Sequence, residues 1–222
     1  MSRLITTSFL DSIAWCKKAP DSKCPDGDTT WKQQAYQQLK DTLGRAPYRP
    51  NKAMLRGIEF ENQIYSILTD HKEDTVRCSV KFRDILKLCA GGEFQKKTKT
   101  ILELDGEEYC LYGKLDVRFS DHIVDIKTTA KYAGKQKYLD TSQHHLYCFS
   151  ENIKDFEYII AEFEDEDSPK IHNVYRIPYH MGDRDYEEKY IKDKIYEAMA
   201  FLNQYDEPGD LKSLYFSTYT RY

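Results

Sequence analysis

The sequence predicts an α/β (α+β) fold, a sandwich of helices and strands. Three observations lead there. Residues 52–70 (KAMLRGIEFENQIYSILTD) and 184–205 carry apolar side chains at helical spacing. Between them, stretches near 76–82, 99–104, 109–119 and 122–128 alternate apolar and polar residues in the manner of strands. A helix near 141–150 then precedes two further strands, near 156–163 and 171–178. Helix, antiparallel strands, helix, strands, helix is not the order of a repeated βαβ unit.

The elements can be justified in turn. Residues 20–30 (PDSKCPDGDTT) are rich in Pro, Gly and Asp and read as a loop, and Pro47 and Pro50 stop the helix that QQAYQQLKDTL begins. In the 52–70 helix, Met54, Ile58, Tyr65 and Leu68 define the expected inward stripe. The acidic EFEDEDS reads as a solvated hairpin loop, and Ile191, Ile195, Ala198, Leu202 and Tyr205 line one face of the last helix. A chain of 222 residues is expected to form a single domain over 1–222, with 1–50 as an N-terminal helical elaboration.

Composition narrows the function classes. Apolar residues make up 40% and charged residues 32%, an ordinary globular balance, and no apolar run is long enough to span a bilayer. MSRLITTSFLDSIAWCKK lacks the layout of a secretory signal, so the expected location is the cytoplasm. Cys16, Cys24, Cys78, Cys89, Cys110 and Cys148 show neither CxxC nor zinc-type spacing and are expected to be separate reduced thiols, partly in the core. The net charge of −4 argues against a protein that coats nucleic acid through a broadly basic surface. Lysine clusters at 96, 97 and 99 and at 131, 135 and 137 read as solvated loops or as local basic patches.

Chemistry concentrates in YCLYGKLDVRFSDHIVDIKTT, residues 109–129. Alternation puts Leu111, Leu115 and Val117 on one face of the first strand and Asp116 on the other. On the second, Val124 and Ile126 share a face, and Asp125 and Lys127 share the opposite one, about 7 Å apart. A hairpin closing around Ser120 and Asp121 pairs Val117 with Val124 and Asp116 with Asp125. That brings the two β-carbons to about 5 Å. Two carboxylates so placed repel unless a cation stands between them, and a divalent metal answers that need. Glu61 lies on the expected inward stripe of the 52–70 helix and offers a third carboxylate, whereas Glu59 sits among Arg56, Asn62, Gln63 and Ser66 on the side expected to face water. Gln143 and Tyr147 share one face near the start of the 141–150 helix, where the backbone dipole favours anions. His144 and His145 beside them read as surface or supporting residues.

RGIEFE, GKLD at 113–116, DIK at 125–127 and QHHLY at 143–147, in that order, resemble the RecB-like, phage-exonuclease branch of the PD-(D/E)XK nucleases. The resemblance covers about residues 52–150. It implies a restriction-endonuclease-like core, a central mixed β-sheet flanked by helices, and phosphodiester hydrolysis with Mg²⁺ or Mn²⁺. Asp116, Asp125, the Ile126 carbonyl and Glu61 would be the metal ligands, Lys127 would position or deprotonate the attacking water, and Gln143 and Tyr147 would support the lysine and the scissile phosphate. It also implies DNA, as a double- or single-stranded end, as substrate, an exonuclease role in recombination, repair or phage DNA processing, and room for a homo-oligomer or a recombination partner protein. Some relatives hold an iron–sulfur cluster through cysteines near the C-terminus; no cysteine follows Cys148, so none is expected. A second reading keeps the fold as a non-catalytic module that binds nucleic acid or a protein partner.

Overall fold

The computed structural model describes residues 2–25, 27–47, 50–69, 79–165, 168 and 170–220. Its strands are β1 (Arg3–Thr6), β2 (Glu93–Leu104), β3 (Glu107–Arg118), β4 (His122–Thr129), β5 (Asp155–Phe163) and β6 (Ile171–His180). Its helices are α1 (Thr7–Lys18), α2 (Trp31–Leu43), α3 (Lys52–Thr69), α4 (Val80–Cys89), α5 (Gln136–Leu139), α6 (Gln143–Glu151), α7 (Arg184–Leu202) and α8 (Leu211–Leu214), followed by a π-helical turn at Tyr215–Tyr219. The predicted α/β architecture of a mixed sheet flanked by helices is the one observed.

The sheet runs β1-β3-β4-β5-β6, with β2 on the other edge of β3. β2 and β3 pair antiparallel from Glu93–Arg118 to Leu104–Glu107, through a turn in which Asp105 and Gly106 both have positive φ (53° and 75°). That is the backbone twist two-residue hairpins prefer, and Gly supplies it without strain. β4 and β5 are parallel and β5 and β6 antiparallel. β1 pairs parallel with residues 109–112 of β3; this strand lies in a stretch for which only helices were expected.

Two apolar cores sit on either side of the sheet. The larger holds Ile5, Phe9, Leu39, Leu111, Leu115, Ile160 and Ile195, gathering α1, α2, α6 and α7. The smaller holds Phe60, Ile64, Phe82, Ile85, Val117, Val124, Ile126 and Ile159 under α3 and α4. Leu111 and Leu115 therefore belong to one core and Val117 to the other. The single-face alternation expected for these three breaks at Asp116, opposite which Gln95 has a φ of 54°.

Other expectations change as well. The strand expected near 76–82 is α4 from Val80 onward, residues 76–78 lying outside the described residues; Ser79 caps it by accepting from Phe82 N–H, and Phe82, Ile85, Leu86 and Cys89 form its buried stripe. In α3 the buried stripe is Phe60, Ile64 and Ile67, while Met54, Ile58 and Tyr65 are 43–47% exposed. Lys96, Lys97 and Lys99 lie in β2 rather than in a loop. Cys16, Cys24, Cys89, Cys110 and Cys148 are free and buried, as expected, and Cys78 lies outside the described residues. No helix among the described residues is long and apolar enough to cross a membrane.

One close approach fixes how α6 sits on the sheet. A β-carbon at Gly113 would stand 2.3 Å from the Tyr147 ring, which is itself buried in the larger core. Gly113→Ala is expected to cost about 1–3 kcal/mol, since the ring has no room to retreat. Urea denaturation measures this, and an unchanged midpoint would show that α6 does not bear on β3 there.

Candidate active site

The site grows from an interruption in the sheet. β2 occupies one edge of β3 along its length, so β1 and β4 share the other. β1 covers residues 109–112 and β4 pairs only at Val117–Val124 and Arg118–Ile123. Residues 113–116, the GKLD segment, are left without a strand partner on that edge. The β3–β4 register is the one the hairpin argument predicted, and Phe119 N–H donates to the His122 carbonyl across the turn at 2.9 Å.

Backbone groups in such a gap need other partners. Asp116 Oδ2 accepts from Ile126 N–H at 2.8 Å, replacing the next rung of the ladder with a carboxylate. A strand residue presents its N–H and C=O to the same neighbour, so the Ile126 carbonyl also faces the gap. The Tyr147 hydroxyl donates to the Lys114 carbonyl at 3.2 Å.

Asp125 is 1% exposed. Gln143 Nε2 donates to its Oδ1. Its Oδ2 meets Lys127 Nζ at 2.6 Å and takes no hydrogen bond from any other group among the described residues. Burial works against the charge on Lys127, but the Asp125 and Asp116 carboxylates outweigh it and hold the ammonium above the usual lysine range. For Asp116, burial and then Asp125 push the carboxyl well above its usual range, while Lys127 draws it back.

Glu61 is half-buried and Glu59 exposed. Burial raises the Glu61 carboxyl, and the charges of Lys127 and Asp125 both act on it. Periodicity thus chose the inward-leaning glutamate although the stripe it chose is exposed at Ile58 and Tyr65: Glu61 lies between that stripe and the buried one through Ile64.

Asp116, Asp125, Lys127, Glu61, the Ile126 backbone and Gln143 accordingly converge on one opening. Tyr147 is buried behind it, its hydroxyl spent on the Lys114 carbonyl. The start of α6, expected to be open to an anion, is already met by an acid: Asp11 of α1 accepts from Ser142 N–H at 2.9 Å. The sequence held no local sign of that contact, since the partners lie in separate elements. His144 is 1% exposed, with Nδ1 3.0 Å from the Tyr158 hydroxyl, so it is a core residue and not a surface one.

Among the described residues no three His, Cys, Asp or Glu side chains form a ready metal cage. The residues nonetheless suit a hard divalent cation, which commonly takes one or two carboxylates with water and phosphate making up the rest. When ionised, the carboxylates of Asp116, Asp125 and Glu61 meet Lys127 and, at Glu61, the charge of Lys114, and among the described residues one buried carboxylate oxygen meets no polar partner but the Lys127 ammonium. Next to Lys127 along the chain, Thr128 and Thr129 line a cleft of about 290 Å³ with Asn51, Lys52 and Arg56 from the start of α3.

No family profile matches the sequence, and no curated protein does. Solved structures do. An alkaline exonuclease from Laribacter hongkongensis superposes with a TM-score of 0.50 at 13% identity, over 90% of this chain and 87% of that one. A phage related exonuclease from Haemophilus somnus 129PT gives 0.49 at 14% identity, over 88% of this chain and 92% of that one. The alkaline exonuclease comparison shows a shared fold, a restriction-endonuclease-like mixed sheet flanked by helices.

Burial also holds the His144 ring down to about 3. The native ring stays neutral between pH 6.5 and about 3, while the unfolded chain takes up a proton below 6.5. This group's contribution is therefore intact above 6.5 and is lost as pH falls toward 3. From pH 6.5 to 4.5 the wild-type protein should lose roughly 2 kcal/mol more stability than a His144→Gln variant, by urea titration at both pH values. Parallel losses would place a protonated ring in the native core.

Proposed function

We propose that this chain is a metal-dependent nuclease that hydrolyses phosphodiester bonds in DNA, acting as an exonuclease on strand ends. The observation that carries the reading is the meeting of Asp116, Asp125 and Lys127 in a gap of the sheet, with Asp125 Oδ2 buried against the lysine alone. The fold shared with an alkaline exonuclease supports it without assigning the residues.

Asp116, Asp125, the Ile126 carbonyl and Glu61 would hold Mg²⁺ or Mn²⁺. When bound, such an ion supplies Lewis-acid stabilisation of phosphate charge and lowers the pKa of coordinated water. Lys127 donates from its ammonium to the attacking water or to a phosphate oxygen, placing positive charge where the pentavalent phosphorus builds negative charge. Gln143 keeps Asp125 oriented by its hydrogen bond to Oδ1. Tyr147 supports this from behind by bracing the Lys114 carbonyl. The cleft lined by Lys52, Arg56, Thr128 and Thr129 suits the backbone of the strand being cut. The role in recombination, repair or phage DNA processing follows from the family resemblance.

The test is digestion of end-labelled linear DNA with Mg²⁺ or Mn²⁺, beside closed circular DNA as the control for internal cleavage. Asp125→Ala and Lys127→Ala should each lower the rate by roughly 10²–10³-fold. Mn²⁺ titrated by calorimetry should bind the wild-type protein and not Asp125→Ala. Equal cleavage by all three proteins would overturn the assignment of the site; DNA binding indifferent to chelator and without cleavage would leave a non-catalytic module as the reading.

A further inference from the structure

Glu187 is a carboxylate in the first turn of α7, 1% exposed, with no part in the site described above. Both of its oxygens are taken. The Tyr179 hydroxyl of β6 donates to Oε1 at 2.6 Å, and His145 Nδ1 stands 2.6 Å from Oε2. An ionised carboxylate only accepts, so Nδ1 is the protonated nitrogen of this ring. The ring stacks on Tyr190 of α7 with centroids 3.9 Å apart. Apolar side chains of similar volume would join α6 to α7 at less desolvation cost. The polar cluster therefore serves direction better than adhesion.

The direction concerns the first turn of α6. The N-cap residue of this helix, Ser142, makes no side-chain cap hydrogen bond. Its start is held by longer tethers: Asp11 on Ser142 N–H, Tyr190 on the Ser142 side chain, and Glu187 on His145. Gln143, which holds Asp125, lies among them. Residues two apart on a helix project about 200° from each other. Gln143 thus faces the gap in the sheet while His145 faces α7, and pinning one sets the rotation of the other.

We infer that Glu187, His145 and Tyr179 form a positioning cluster that sets the rotation of α6 and so aims Gln143 at Asp125. The inference rests on the nuclease reading for its consequence in catalysis, and on geometry alone for the contact. Neither Glu187 nor His145 touches the reacting atoms.

The experiment follows the side-chain amide of Gln143 by ¹⁵N NMR in the full chain, with kinetics on linear DNA alongside. In Glu187→Gln the Gln143 amide resonance should shift, and kcat should fall about 10-fold with KM changed less than about twofold. Gln143→Ala should show a similar fall, and the double variant should be no slower than the slower single one, because both act through one contact. If Glu187→Gln fails to fold, Tyr179→Phe removes a single hydroxyl and carries the same readouts. An unmoved Gln143 resonance, or losses that multiply in the double variant, would overturn the inference. A resonance that shifts in Glu187→Gln while the wild-type protein cuts no DNA would sink the nuclease reading and leave the positioning contact standing.

Discussion

The bond from Ile126 N–H to the Asp116 carboxylate is where a regular sheet becomes a site. In an uninterrupted ladder that donor would pair with a backbone carbonyl of β3. Here a side chain takes its place, the strands part after two pairs, and the carboxylate is fixed in orientation because moving it would strand a backbone N–H. Asp125 arrives in the same opening by strand alternation, and Lys127 follows two residues later. The acidic pair, the lysine and the Ile126 carbonyl thus meet where one side chain replaces main chain in the ladder.

The rest of the molecule keeps that opening from closing or drifting. β2 runs along the far edge of β3 and prevents it from bending away. β1 ends where the gap begins, which sets one border. α6 lies over the gap and is tied at both ends: at its start through Asp11 and Glu187, and at its finish through Glu151, which meets Lys96 at 2.9 Å and Arg118 at 3.2 Å. The Lys96 that composition marked as part of a basic patch is therefore engaged with Glu151. Positive charge near the opening comes from Lys127 and from the cleft beside Thr128.

What was legible in the sequence was whatever a period or a short turn determines. The β3–β4 register followed from strand alternation and a turn short enough to leave little freedom, and it holds at Val117–Val124 and Arg118–Ile123. The last helix showed its face through Ile191, Ile195, Ala198 and Leu202, all buried. α3 was harder, because apolar residues lie on two stripes, and only the packing against Phe82 and Phe163 selects Phe60 over Ile58. α4 was misread because the few residues taken as a strand end inside its first turn, before Ile85, Leu86 and Cys89 complete the helical pattern. β1 is four residues long and becomes a strand only by docking on β3. The Asp11–Ser142 bond and the burial of His144 depend on elements distant in sequence, and no local pattern announces them.

The parallel docking of β1 also bears on how the molecule comes together in time. Arg3 and Tyr109 are register partners 106 positions apart in the chain, whereas the β2–β3 and β3–β4 hairpins join near neighbours. Closing so long a loop costs more chain entropy than closing either hairpin, and contacts of large separation form slowly. The two hairpins can therefore set the acidic pair before the N-terminal strand arrives, but the border of the gap, and the seat of α1 from which Asp11 reaches α6, wait for the most distant pairing in the sheet.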